Sequence, residues 1–103
     1  MTELHTRKKI EVIMDKLHVE RVVALFENHD VLGHTVIPSV SGKGSRGRWT
    51  PDRLTAADDR VLVIAVMSEA TADAILADLG PLFEEIPGVA FVSEVQVLRP
   101  HRF

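Results

Sequence analysis

The chain has 103 residues, 46% hydrophobic and 26% charged, with a formal net charge of −3. That length gives one globular domain over residues 1–103, because two would need about 100 residues each. The absence of cysteine excludes disulfides, thiolate zinc sites and thiol nucleophiles, and no apolar run approaches the ~20 residues of a membrane span.

Residues 7–14 alternate polar and apolar side chains from Lys9 to Val12 and predict a half-buried strand. Asp15 is placed to cap the next element, a helix with Leu17, Arg21, Val22, Leu25 and Phe26 near helical spacing, ending around 28–30. Residues 33–41 are β-branched and extended, but Pro38 cannot donate to a ladder, so a bulge or a free edge is expected there. Residues 42–57 show no period and predict a long loop. Such loops are usually functional or disordered.

Residues 60–67 form a nearly continuous apolar run, as a central strand does. Ser68 is a helix N-cap, and Ala72, Ile75, Leu76, Leu79, Leu82 and Phe83 form the apolar positions of the helix it opens. Gly80-Pro81 should kink or restart that helix. Pro87-Gly88 make a turn into a last strand over 89–98. The order βαββαβ predicts an α+β, ferredoxin-like sandwich with an antiparallel four-stranded sheet and a long loop after strand 2. Val61 to Val66 are apolar on both faces of their strand, and large exposed apolar patches mark interfaces, so an oligomer is expected.

Charge is unevenly spread. Lys43, Arg46, Arg48 and Arg53 face one acid, Asp52, in the loop, and Arg99 and Arg102 add positive charge in the tail. Basic charge confined to a loop and a tail points to small anionic ligands, and a nucleic-acid face is not expected. Gly42-Lys43-Gly44 lacks the order and following helix of a Walker A loop. What remains is backbone N–H groups free to approach an anion beside a cation; a solvated linker is the alternative. Arg99 and Arg102 are spaced to hold one phosphate, with a frayed tail as the alternative. The five histidines show no metal spacing, so no metal is expected. An RNA-recognition motif shares the element order but needs stacking aromatics on central strands, and neither the first strand nor residues 60–67 supply one.

Three segments together resemble one family. Gly33-x-Thr35-Val36 leading to Gly42-Lys43-Gly44 resembles the approach to the T-loop of PII nitrogen-regulatory proteins. Pro87-Gly88-Val89-Ala90-Phe91-Val92-Ser93 is similar to that family's B-loop and last strand, and Arg99 and Arg102 to its C-terminal arginine pair. The likeness is strongest to the PII-like branch found with carboxysomes. It implies a cytoplasmic homotrimer that regulates inorganic carbon uptake or fixation and is not an enzyme. ADP or AMP would lie in clefts between subunits, held by Thr35, Ser41, Gly42, Lys43, Gly44, Gly88, Val89, Arg99 and Arg102. The loop and the turn before the last strand would come from one chain and the tail arginines from its neighbour.

Three departures refine that implication. The chain has no tyrosine, so the family's uridylylation of a T-loop tyrosine has no acceptor. Arg46 stands near the place of the glutamine that helps hold magnesium and 2-oxoglutarate, and Val89 replaces a lysine facing the outer phosphates. One cation fewer favours ADP or AMP over ATP, and Lys43 or Arg46 is free to hold bicarbonate. The implied partner is a bicarbonate transporter or a carboxysome-related protein, reached through the loop. Two other readings are a nucleotide-free structural trimer and a small enzyme using His34 or His101 as its acid–base group.

Overall fold

Alternation in the first segment produces a strand, β1 (His5–Asp15), whose residues Ile10, Val12 and Met14 point into the core. The computed structural model describes residues 2–44, 47–49 and 59–103, in backbone alone at 39–40, 43–44 and 47–49. After β1 come a 3-10 turn, Lys16–His18, and helix α1 (Val19–Asn28). Strand β2 is His34–Val40, β3 is Gly42–Gly44 and β4 is Gly47–Trp49. Strand β5 (Arg60–Met67) leads to helix α2 (Glu69–Glu85), strand β6 (Gly88–Val97) and a 3-10 turn at Pro100–Arg102.

The main sheet has the order β2-β5-β1-β6 and every pairing is antiparallel. This is the ferredoxin-like α+β arrangement expected from the element order. Both helices pack on one face. Val22 and Phe26 of α1 and Ala72, Ile75 and Leu79 of α2 meet Ile10, Val12, Val61, Val63 and Ala65 in a single apolar cluster. Each valine, isoleucine, leucine or phenylalanine among them contributes about 1.5–3 kcal/mol by leaving water.

The other sheet face is uncovered. Along β5 burial alternates strictly: Val61, Val63, Ala65 and Met67 are buried, while Leu62, Ile64 and Val66 remain half-exposed. Register places Ile37, Leu62, Ile13 and Val89 in one row across all four strands of the open face. The next row is Thr35, Ile64, Glu11 and Phe91, with the Lys9 ammonium 3.4 Å from the Glu11 carboxylate. Val89 and Phe91 are each about half exposed (54% and 48%). The doubly apolar strand thus leaves a contiguous apolar surface facing solvent.

Three local expectations change, at Asp15, Leu17 and Pro81, while the irregularity expected at Pro38 is present. Asp15 caps nothing: it ends β1 and ion-pairs with Arg60 directly across the ladder. Leu17 lies in the 3-10 turn rather than in α1, and is exposed. The register between β2 and β5 slips between Ile37 and Val40, around Pro38, as its missing donor requires. Helix α2 runs unbroken through Pro81. The preceding residue is Gly80, which has no Cβ to meet the proline ring, so the expected restart does not occur.

The segment read as an unstructured loop also contains a hairpin. Gly42 pairs with Trp49, Lys43 with Arg48 and Gly44 with Gly47. Strands of three residues are too short for a hydrophobic period to register, so no pattern announced them. The rest of the expected loop, with Arg46 and Arg53, lies outside the described residues.

Candidate functional site

Helix α1 ends in a Schellman motif: Asp30 N–H donates to Glu27 O (3.1 Å) and Val31 N–H to Phe26 O (3.0 Å). Asp30 takes the left-handed position with φ 60°, a conformation Asp tolerates better than most residues. The chain then passes through Leu32 and Gly33 into β2. At the same end of the sheet, β5 finishes at Met67 and β6 at Val97.

These ends enclose a groove of about 1020 Å³, open to solvent. Its floor is Ile64, Ala65 and Val66, and its rim carries Thr35, Arg99 and Arg102 with no acidic side chain. Leu32, Leu98 and Phe103 add exposed apolar surface. An apolar floor beside two guanidinium groups suits a ligand with one flat apolar end and one anionic end. His34 and His101 line the same groove. Among the described residues neither is hydrogen-bonded to a carboxylate, the partner that orients an imidazole for acid–base work.

Of the residues singled out in the sequence, the fold brings Thr35, Arg99 and Arg102 together. It puts the others elsewhere. Gly88 and Val89 open β6 opposite Met14 and Ile13. Ser41 and Gly42, both exposed, follow Val40, which pairs with Arg60. Lys43 and Gly44 belong to β3, and Arg46 lies outside the described residues. Gly88 and Val97 sit at opposite ends of β6, nine residues apart, or roughly 30 Å at about 3.3 Å per residue. One chain therefore does not bring Gly88 and Arg99 onto the same small molecule.

Sequence reasoning missed the groove's apolar members Leu32, Leu98 and Phe103, and also Arg7, whose guanidinium reaches the Pro100 carbonyl. Leu98 and Phe103 flank the arginines in the tail, so apolar side chains at an otherwise basic end were the available signal. Arg7 gave none, because only strand register reveals its neighbour.

The family model for nitrogen regulatory protein P-II matches residues 7–102. Among solved structures, the chain is similar to CPII, a nitrogen regulatory PII-like protein from Thiomonas intermedia K12, bound to ADP, AMP and bicarbonate. Identity is 33%, with a TM-score of 0.92 and coverage of 100% of this chain and 98% of CPII. CPII bound to ADP, AMP and acetate matches at 33% identity and a TM-score of 0.83, covering 98% of this chain and 97% of that one. A DUF3240 family protein from Shewanella baltica OS155 matches at 13% identity, a TM-score of 0.65 and 85% and 88% coverage, which shows shared fold alone. No curated protein matches the chain. A match spanning all but the first six residues and the last, joined to a full-length structural relative at one-third identity, places the chain in the P-II nitrogen regulatory protein family.

Proposed function

We propose that this chain is a PII-like regulator that binds ADP or AMP, together with bicarbonate, in clefts between copies of itself. It works as a homotrimer in the cytoplasm and acts by binding rather than by turnover. The loop from residue 42 to 57 carries the bound state to a bicarbonate transporter or a carboxysome-related protein, and so to inorganic carbon uptake or fixation. The observation that carries this reading is the separation of chemistry along the sheet. Thr35, Arg99 and Arg102 lie at one end, and Ser41, Gly42 and Gly88 at the other. A ligand that needs both sets needs two chains, and the open apolar face offers the surface through which copies associate.

In this reading Arg99 and Arg102 hold phosphate, each through charge-assisted bonds worth about 1.5–3 kcal/mol. Gly42, Gly44 and Gly88 let backbone N–H groups approach, and Thr35 or Ser41 meets the base or ribose. Val89 supplies no charge to outer phosphates, so AMP and ADP are preferred over ATP. Lys43 and Arg46 hold bicarbonate. Ligand orders the loop only through contacts made better in the ordered state. The structures of CPII with ADP, AMP and bicarbonate support the ligand set.

Calorimetric titration of AMP, ADP and ATP, with and without bicarbonate, tests the proposal, with light scattering for the assembly. The expected result is a trimer binding ADP or AMP at micromolar level, about −8 kcal/mol, and more tightly with bicarbonate. No binding of any nucleotide would overturn it in favour of a structural trimer.

A further inference from the structure

The 3-10 turn Pro100–Arg102 holds itself together through two backbone bonds, Arg102 N–H to Arg99 O (3.0 Å) and Phe103 N–H to Pro100 O (3.2 Å). It has no side-chain cap and no buried residue. Among the described residues, one hydrogen bond ties it to another element. Arg7, 93 positions earlier, donates from Nη2 to the Pro100 carbonyl at 3.3 Å in a part-buried setting. Its Nη1 donates to Thr6 O at 2.8 Å, which fixes the guanidinium against its own strand. Arg7 stands on β1 opposite Val95, and its Nε is buried with no partner among the described residues. A guanidinium held on a central strand and aimed at one carbonyl is a rigid anchor for a short exposed turn.

That carbonyl lies between the two arginines of the groove, one residue after Arg99 and two before Arg102. Arg7 is not among the groove's lining residues. We infer that Arg7 is a positioning residue: it pins the Pro100 carbonyl and so presents Arg99 and Arg102 to an anionic group in the groove. The inference rests on the nucleotide reading for its ligand, though not for the pin itself. Its physical basis is preorganisation. A turn already fixed loses less freedom when its arginines engage a phosphate, and that saving appears as affinity. The effect belongs to the charged end of the ligand, so a nucleoside without phosphate does not report it.

Arg7→Met removes the donor and Arg7→Lys keeps a cation with a single donating head. Amide exchange at Arg102 and Phe103 reads the pin, exchange across β1 and β6 confirms that the sheet is intact, and titration with ADP and with adenosine reads its consequence. In Arg7→Met the two amides should exchange at least about ten-fold faster and ADP affinity should fall about ten-fold, with adenosine changed less than about two-fold. Arg7→Lys should fall between Arg7→Met and the unsubstituted protein on both scales. Unchanged exchange at Arg102 and Phe103 in Arg7→Met overturns the inference, as does faster exchange with unaltered ADP affinity. If the unsubstituted protein binds no ADP, the nucleotide reading fails by itself. Exchange then decides the pin alone, faster amides upholding it and unchanged amides removing it.

Discussion

Gly88 is the residue where one methyl group decides most. A Cβ built there would sit 2.6 Å from Cε1 of Phe83 and 3.0 Å from its Cδ1. Phe83 is itself packed against the core, so its ring cannot simply swing clear. Gly88→Ala should therefore cost about 1–3 kcal/mol in urea unfolding, as overpacking does. In a Phe83→Ala background the same change should cost less than about 0.5 kcal/mol, because the obstructing ring is gone. Equal costs in both backgrounds would mean that the turn's backbone, not the ring, selects glycine. The groove arginines give a second test at this scale. Arg102→Ala should weaken ADP by at least about ten-fold while leaving adenosine nearly unchanged, because in the proposed reading the guanidinium meets phosphate and not the nucleoside. Equal losses for the two ligands would place Arg102 away from phosphate.

Among the elements, helix α2 shows how local rules combine. Ser68 accepts a hydrogen bond from Thr71 N–H at 3.2 Å, and its hydroxyl donates to Thr71 Oγ1 at 3.0 Å. Well inside the helix from that capped start, Gly80 and Pro81 break the usual propensities without ending it. Pro81→Ala should raise stability, by up to about 3 kcal/mol, because it returns an N–H to the ladder. Gly80→Ala has open space around its new methyl and should add about 1 kcal/mol on top of Pro81→Ala. With Pro81 in place the gain should shrink or reverse, since the methyl then meets the proline ring. Urea unfolding of the three variants checks this. The six long elements were legible because each carries a pattern longer than its period, as the run from Val61 to Met67 does. The paired strands Gly42–Gly44 and Gly47–Trp49 are three residues each, too short for a period to repeat, and stayed hidden. Asp15 was misread because a carboxylate before a helix looks alike whether it caps that helix or pairs across a ladder with Arg60. The site was half legible for the same reason: Arg99, Arg102 and Thr35 stand out as residue types, but the apolar floor and Arg7 become neighbours only through strand register.

For the whole molecule, the decisive feature is the row Ile37, Leu62, Ile13 and Val89 on the open face of the sheet. Helices cover the other face, and Val61 and Val63 beside Leu62 are buried there, so a change at Leu62 leaves the core untouched. A charge at Leu62 is tolerated in a solvated protomer but is costly once a second copy removes water from it. Leu62→Lys should therefore keep the native circular dichroism spectrum and a cooperative melt while shifting light scattering from a trimer to a monomer. The same substitution separates two views of the groove. If one chain supplies the whole nucleotide site, the monomer should bind ADP as the unsubstituted protein does, because Leu62 does not line that groove. If the site needs Gly88 from one copy and Arg99 from another, affinity should fall by at least about 100-fold, equivalent to roughly 2.7 kcal/mol. The roughly 30 Å between the two ends of β6 favours the second result, and with it a sensor whose ligand occupancy and assembly are linked through mass action.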